Sequence, residues 1–289
     1  MKKTILVLTL LCAFTLSKAQ QSFLFKIKYL PGCLYESTVT TGMNMEMNVS
    51  GDSTVMASIK AKGTKLPIIV NSESSTEFDA KTGAVRADNL FPIAIRFKNR
   101  TEKKTVNGVV SNESSNPLVG QTIFGHYSTG GKIQVDSISG KTLNDEVKEA
   151  LATMIGNLLN EMHFPESPMK IGETFTQEVP FNLPLAGTSM EATIKIIYKL
   201  TSVDKNLAYF DLDESMNIDM STEKNSVTIN VKGAGKGSGK LIYDINNNYA
   251  PTRSAGLKMN YQMEMGKLNM TGSAQILSTT ETKMSALTK

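Results

Sequence analysis

The stretch Tyr35-Glu36-Ser37-Thr38-Val39-Thr40-Thr41-Gly42-Met43-Asn44-Met45-Glu46-Met47-Asn48-Val49 alternates between two kinds of side chain from end to end. Tyr35, Val39, Met43, Met45, Met47 and Val49 belong to one mostly apolar set, whereas Glu36, Thr38, Thr40, Asn44, Glu46 and Asn48 belong to the polar one. Successive side chains of a strand point to opposite faces, so a period of two sustained this long specifies a strand with one covered and one wetted face. The C-terminal half repeats the pattern: Leu257, Met259, Tyr261, Met263 and Met265 interleave with Lys258, Asn260, Gln262 and Glu264. Both halves therefore contribute long antiparallel strands with one apolar face, and the fold class expected is mainly β, a long curved antiparallel sheet of half-barrel form.

Working outward, strands are expected at Phe23 to Leu30, Lys65 to Val70, Ser75 to Phe78 and Phe91 to Phe97, with Asn107-Gly108 as a two-residue hairpin turn. Val55, Ala57, Ile59 and Ala61 continue the alternation after Ser50-Gly51-Asp52 and predict the return strand of a hairpin. In the second half, strands are expected at Glu191 to Leu200, Ala208 to Met220, Ser226 to Val231, Lys240 to Ile245, Pro251 to Met265 and Leu268 to Ser278. Between the halves, Leu143, Val147, Leu151, Met154, Ile155, Leu158, Leu159 and Met162 recur at helical spacing and stop before Pro165 and Pro168. This predicts one central amphipathic helix that covers the sheet's apolar face. The chain is thus divided into a leader at 1–19, an N-terminal β half at 20–140, a connecting helix at 141–165 and a C-terminal β half at 166–289, the two halves forming one continuous fold.

The leader is read from Met1, Lys2 and Lys3, the apolar run Thr4 to Leu16, and the small-residue site Ser17-Lys18-Ala19. These are the three parts of a secretory signal peptide cleaved after Ala19, so the protein is expected to be exported, periplasmic or secreted. Cys12 lies inside the leader behind Leu11, a poor setting for lipid attachment, and Cys33 is then the lone thiol of the mature chain. No intramolecular disulfide can form, and stability rests on the core. No later apolar stretch approaches the length of a membrane span. The formal net charge of +4 over 289 residues falls toward neutrality when Lys2 and Lys3 leave, which speaks against electrostatic capture of nucleic acid.

Chemistry-bearing patterns are few. The chain holds 16 methionines, and Met43-x-Met45-x-Met47 with Met263-x-Met265 places thioethers two apart on one strand face. Three readings are open: flexible apolar filler of a core, the lining of a deformable lipid cavity, or soft Cu(I) or Ag(I) ligands. Histidine occurs only at His126 and His163, without metal-ligand spacing, and no Gly-x-Ser-x-Gly elbow is present, so triad hydrolysis and zinc have no support. Gly233-Ala234-Gly235-Lys236-Gly237-Ser238-Gly239-Lys240 fails the phosphate-loop spacing, because Ala234 stands where glycine is required and Leu241 follows Lys240. A bulge, a bend or a close backbone crossing that lets the sheet curl is the expected role. Asp211, Asp213 and Glu214 form the densest carboxylate cluster, with Asp211 and Asp213 on one strand face and solvated. The absence of tryptophan and an aromatic content of 7% disfavour a sugar-stacking cleft.

Three segments carry a resemblance: Lys26-Ile27-Lys28-Tyr29-Leu30-Pro31-Gly32 with Tyr35, Gly130 to Gly140, and Phe164-Pro165-x-x-Pro168-Met169-Lys170-Ile171-Gly172-Glu173-Thr174-Phe175. Together they resemble a Bacteroidota-type family of exported proteins built on a domain of unknown function. The order of β half, helix, proline exit, Lys-Ile-Gly-Glu turn and second β half is also similar to the curved half-barrels of LolA- and LppX-type periplasmic lipoprotein carriers. That likeness implies architecture and supplies no catalytic residues.

The function expected is therefore a non-enzymatic exported protein that binds an apolar ligand, a lipid or lipoprotein acyl chain, in a concavity lined by Met43, Met45, Met47, Met259, Met263 and Met265. No cofactor, metal or nucleic-acid partner is expected. The alternatives are a structural or interaction module of the cell envelope with a fully packed core and, as a minor one, periplasmic Cu(I) or Ag(I) binding through the methionines.

Overall fold

A computed structural model describes residues 21–26, 28–61, 63–111, 119–128, 133–139, 145–146, 149, 163–185, 188–224 and 227–287. The leader lies outside these residues, as does the helix expected from Leu143 to Met162, apart from the helical Asp145, Glu146 and Glu149.

The strands in chain order are β1 (Ser22–Phe23), β2 (Cys33–Gly51), β3 (Ile68–Thr82), β4 (Leu90–Val106), β5 (Val109–Ser111), β6 (Thr122–Ser128), β7 (Ile133–Ser139), β8 (Met169–Lys170), β9 (Thr174–Leu185), β10 (Thr188–Asp204), β11 (Leu207–Lys224), β12 (Val227–Asp244), β13 (Tyr249–Met265) and β14 (Leu268–Ala286). Twelve of them form one antiparallel sheet in the order β7-β6-β4-β3-β2-β14-β13-β12-β11-β10-β9, with β5 folded back on β4. The pairing of β14 with β2 joins the chain's last strand to its first long one, from Cys33 opposite Ala286 to Gly51 opposite Leu268. The sheet is open, with β7 and β9 as its edges, so the architecture is a curved half-barrel. β9 carries Pro180 and Pro184, residues an edge tolerates because they have no N–H to leave unpaired.

Tyr35-to-Val49 forms the core of β2 as its alternation requires, and Asn107-Gly108 forms the β4–β5 hairpin turn with both residues at positive φ, +50° and +80°. The return strand expected from Val55 to Ala61 is not formed. Ser53–Ala61 is instead a helix, α1, with no buried side chain. Asp52 decides this: its Oδ1 accepts from the Val55 N–H at 2.9 Å and its carbonyl from the Met56 N–H at 3.0 Å, an N-cap followed by the good helix formers Met56, Ala57 and Ala61. The strands expected separately at Ser226 to Val231 and Lys240 to Ile245 are one strand, β12, running straight through the glycine run. It keeps register with β13 from Ile229 opposite Met265 to Ile242 opposite Thr252, and the shift comes only afterwards. Hence no bulge interrupts the glycines.

Two aromatic-rich clusters close the end of the sheet where β2 begins. In one, Phe25 packs edge-on against Phe210 and Tyr243 (5.1 and 5.4 Å between centroids), and Phe164 stands 5.1 Å from Tyr243. In the other, Tyr29 meets Tyr35 at 4.8 Å and Tyr127 at 5.4 Å. The segment before β2 thereby caps this end, pinned by the Tyr243 hydroxyl donating to the Lys26 carbonyl at 2.5 Å.

Candidate functional site

Strand parity puts Tyr35, Val39, Met43, Met45, Met47 and Val49 on the inner face, and hydrogen-bonded register carries that face across the sheet in rows. One row reads Val106, Val70, Met45, Ala274, Met259, Gly235, Met216, Ile194 and Val179 from β4 to β9, without a polar side chain. Around it lies an apolar cluster in which Met216, Met259, Met263 and Met270 are buried with Ile218, Val231, Leu257 and Tyr261, while Met45, Met47, Met220 and Met265 pack against it partly exposed. Five of the six methionines singled out from sequence thus come together. Met43 shares the face but sits one row away, opposite Ile276 and Ser72, outside the cluster. The sequence reading missed Met216, Met220 and Met270, although the alternation Leu212, Glu214, Met216, Ile218, Met220 held the signal for two of them.

Why the methionines converge is visible on β12. Gly233, Gly235, Gly237 and Gly239 all fall on the inner face, opposite Tyr261, Met259, Leu257 and Ala255. A Cβ at Gly237 or Gly239 would collide with the backbone of β13, at the Gly256 or Ser254 carbonyl oxygen. On the concave side of a strongly curled sheet, inward Cβ atoms converge, so a stripe without them permits the curl. The close backbone approach expected of this run is present. Across the cluster, the Tyr261 ring lies over Gly272 of β14, and its hydroxyl is buried without a hydrogen-bond partner among the described residues.

The rows next to the methionine cluster are polar. Thr41, Ser72, Ser74, Thr76, Ser278 and Thr280 occupy the inner face of β2, β3 and β14, with Lys104, Glu102 and Arg100 beside them on β4. Arg100 pairs with Glu102 at 2.8 Å. On the opposite flank the buried Glu214 of β11 meets Arg253 of β13 at 3.1 Å across the side-chain-free Gly237 and Gly239. Burial pushes the Glu214 carboxyl above its ordinary range, with Arg253 opposing, and burial likewise raises Tyr198, which is hydrogen-bonded to Arg253. The inner face is therefore banded: methionines at one end, a polar waist, and aromatic rings at the other end.

Of the remaining sequence candidates, all but Cys33 lie apart from this face. Asp211 and Asp213 are exposed on the outer face, where Asp211 pairs with Lys240 at 3.3 Å. His126 Nδ1 stands 2.5 Å from Asp136 Oδ2, and its Nε2 accepts from Arg86 at 3.1 Å, so both ring nitrogens are engaged. His163 is exposed. Cys33 is buried, and burial raises its thiol above the ordinary range, which makes it a poor nucleophile. Among the described residues no three His, Cys, Asp or Glu side chains converge as metal ligands, and no helix is long and apolar enough to cross a membrane.

No protein-family model matches the chain, and no curated protein matches it in sequence. Among solved structures it aligns with lipovitellin, solved to describe lipid–protein interactions, at 8% identity and TM-score 0.46, covering 91% of this chain and 26% of that one. It aligns with Pseudomonas aeruginosa OccK7 at 6% identity and TM-score 0.25, over 88% of this chain and 100% of that one. A Pseudomonas aeruginosa FadL homologue aligns at 9% identity and TM-score 0.19, over 89% and 91%. The chain spans about a quarter of the lipovitellin chain, and at these scores the alignments carry no argument about ligand or activity.

Proposed function

We propose that this is an exported, non-enzymatic protein that binds an apolar ligand, a lipid or a lipoprotein acyl chain, against the methionine-rich inner face of the half-barrel. The observation that carries the reading is the gathering of eight methionines from β2, β11, β13 and β14 onto one concave face. Thioether chains are unbranched and polarisable, so they adapt to acyl chains of varied length and bend at little cost. The polar waist supports the same reading, since its hydroxyls and charges suit the head of an amphiphile whose tail lies among the methionines. Native mass spectrometry of protein purified from its own host, followed by lipid extraction, is expected to show a co-purifying acyl lipid. Protein free of any bound species, with no uptake of lipid when it is offered, overturns the proposal.

A second reading is an envelope interaction module whose inner face is packed shut. The near-complete burial of Met216 (1%), Val231 (0%) and Met263 (2%) favours it, because an accessible ligand face would leave more of these side chains open. It predicts partners recovered by crosslinking while lipid screens stay empty.

A further inference from the structure

The outer face of the same sheet carries a shallow groove in two adjoining parts. One, of about 670 Å³, is floored by Gly237, Gly239 and Gly256 and flanked by Lys236, Lys240 and Lys258. The other, of about 440 Å³, is lined by Asn44, Asn71 and Asn260 with one carboxylate, Glu46, and the two share Lys258 and Gln275. Register turns this lining into a row across five strands: Lys236, Lys258, Gln275, Asn44 and Asn71 stand directly opposite one another in succession. On β10 and β11, Lys195 and Ser215 extend the row, so from β10 to β3 it contains hydrogen-bond donors and no carboxylate, and it ends on β9 at Glu178, opposite Lys195. Among the described residues, none of Lys195, Lys236 and Lys258 has an ion-pair partner, whereas Lys240 has Asp211. Like charges directly opposite on neighbouring strands destabilise a sheet, so Lys236 against Lys258 is a cost that the fold alone leaves uncompensated.

We propose that this groove binds an acidic glycan, lying across the strands with an anionic group between Lys236 and Lys258 and its hydroxyls on Gln275, Asn44 and Asn71. Three features select that ligand class. The row lies in the middle of the sheet, where every backbone group is spent in the ladder, so a peptide strand has nothing to pair with. No aromatic side chain lines the groove, which removes the stacking platform that single-stranded nucleic acid uses. Leu277 is the one large apolar side chain in the lysine part, too little for an acyl chain. What is left is a flat ladder of amides and ammonium groups spaced by the strand separation, about 4.8 Å, which suits a chain of hydroxylated rings bearing charges.

The test is calorimetric titration of the full mature protein with oligogalacturonate, with its neutral methyl ester, with inorganic phosphate and with a single-stranded oligonucleotide. Binding of the acidic oligosaccharide alone, weakened by added salt and reduced roughly tenfold or more by Lys236→Glu with Lys258→Glu, is the expected result. Both lysines are exposed, so these variants should fold, and unchanged circular dichroism verifies it. Lys283→Glu, outside the groove, is the control and should bind as wild type. Equal affinity for phosphate or for the oligonucleotide, equal affinity for the neutral ester, or no binding of the acidic oligosaccharide each overturns the proposal. The outcome is independent of lipid binding on the inner face.

Discussion

The phenol of Tyr261 occupies the space a side chain would take at Gly272: a Cβ there would stand 2.7 Å from both Cζ and the hydroxyl oxygen. The same Cβ would collide with the Glu46 carbonyl oxygen of β2, so aromatic ring and glycine together set how closely β13, β14 and β2 pack over the methionine cluster. Gly272→Ala is therefore expected to destabilise by about 1 to 3 kcal/mol, the usual cost of overpacking. Urea denaturation measures it, and an unchanged midpoint contradicts the packing described.

Tyr261→Phe has the opposite expectation. Its hydroxyl is buried without a partner among the described residues, so removing it relieves an uncompensated polar group and should leave stability unchanged or raise it by about 1 kcal/mol. If a ligand's carbonyl or hydroxyl completes this site, the variant will lose affinity for an acyl ester while keeping affinity for a plain hydrocarbon. A clear loss of stability in ligand-free protein shows that the hydroxyl has a partner after all.

Met45→Phe separates the two readings of the inner face. Met45 is half-buried at the margin of the cluster, so in a ligand-binding concavity the larger ring should weaken lipid uptake with little change in stability. In a tight core the same change costs about 1 to 3 kcal/mol. Thermal melting and lipid uptake measured on one preparation distinguish them.

Glu214→Gln removes the buried carboxylate and leaves the Arg253 guanidinium without its counter-charge. Because Arg253 is a quarter exposed, the loss should fall short of a fully buried pair and amount to about 1 to 3 kcal/mol. Replacing both, Glu214→Met with Arg253→Met, should recover most of it, since neither charge is then stranded. A double variant as unstable as the single one excludes the pair as the cause.

Alkaline pH should loosen the capped end first. Burial holds the Tyr29 and Tyr243 hydroxyls up to about 12, above the ordinary 10.0, so the folded state keeps protons that the unfolded state releases. Their contribution is complete below pH 10 and is lost as pH rises through about 12. Denaturant midpoints should fall across that window and fall less steeply in Tyr29→Phe. A flat profile there refutes it.

The strand class, the two faces of β2 and β13, and the membership of Met45, Met47, Met259, Met263 and Met265 in one apolar surface were legible in the chain. Alternation follows from the covalent geometry of each strand, whatever its neighbours are. The segment after Asp52 departs from the expected strand because Val55, Ala57, Ile59 and Ala61 satisfy a strand period while the Asp52 cap and local helix propensity favour α1, and at nine residues the local terms win. Of the bulge, bend or close backbone crossing that the glycine run allows, the structure has the close crossing, and it lies inside one continuous β12, where inward side chains would collide; the sequence does not separate these roles because the colliding atoms belong to β13.

Local sequence thus determined which residues face in and which face out. Only tertiary structure decided that β14 closes onto β2, that the β12 glycines bring Glu214 to Arg253, and that Lys236 and Lys258 stand opposite each other in an open groove. The reason is physical: facing is a property of one strand's backbone, whereas partner, register and curvature depend on contacts between residues up to two hundred or more positions apart, which no single stretch of chain contains.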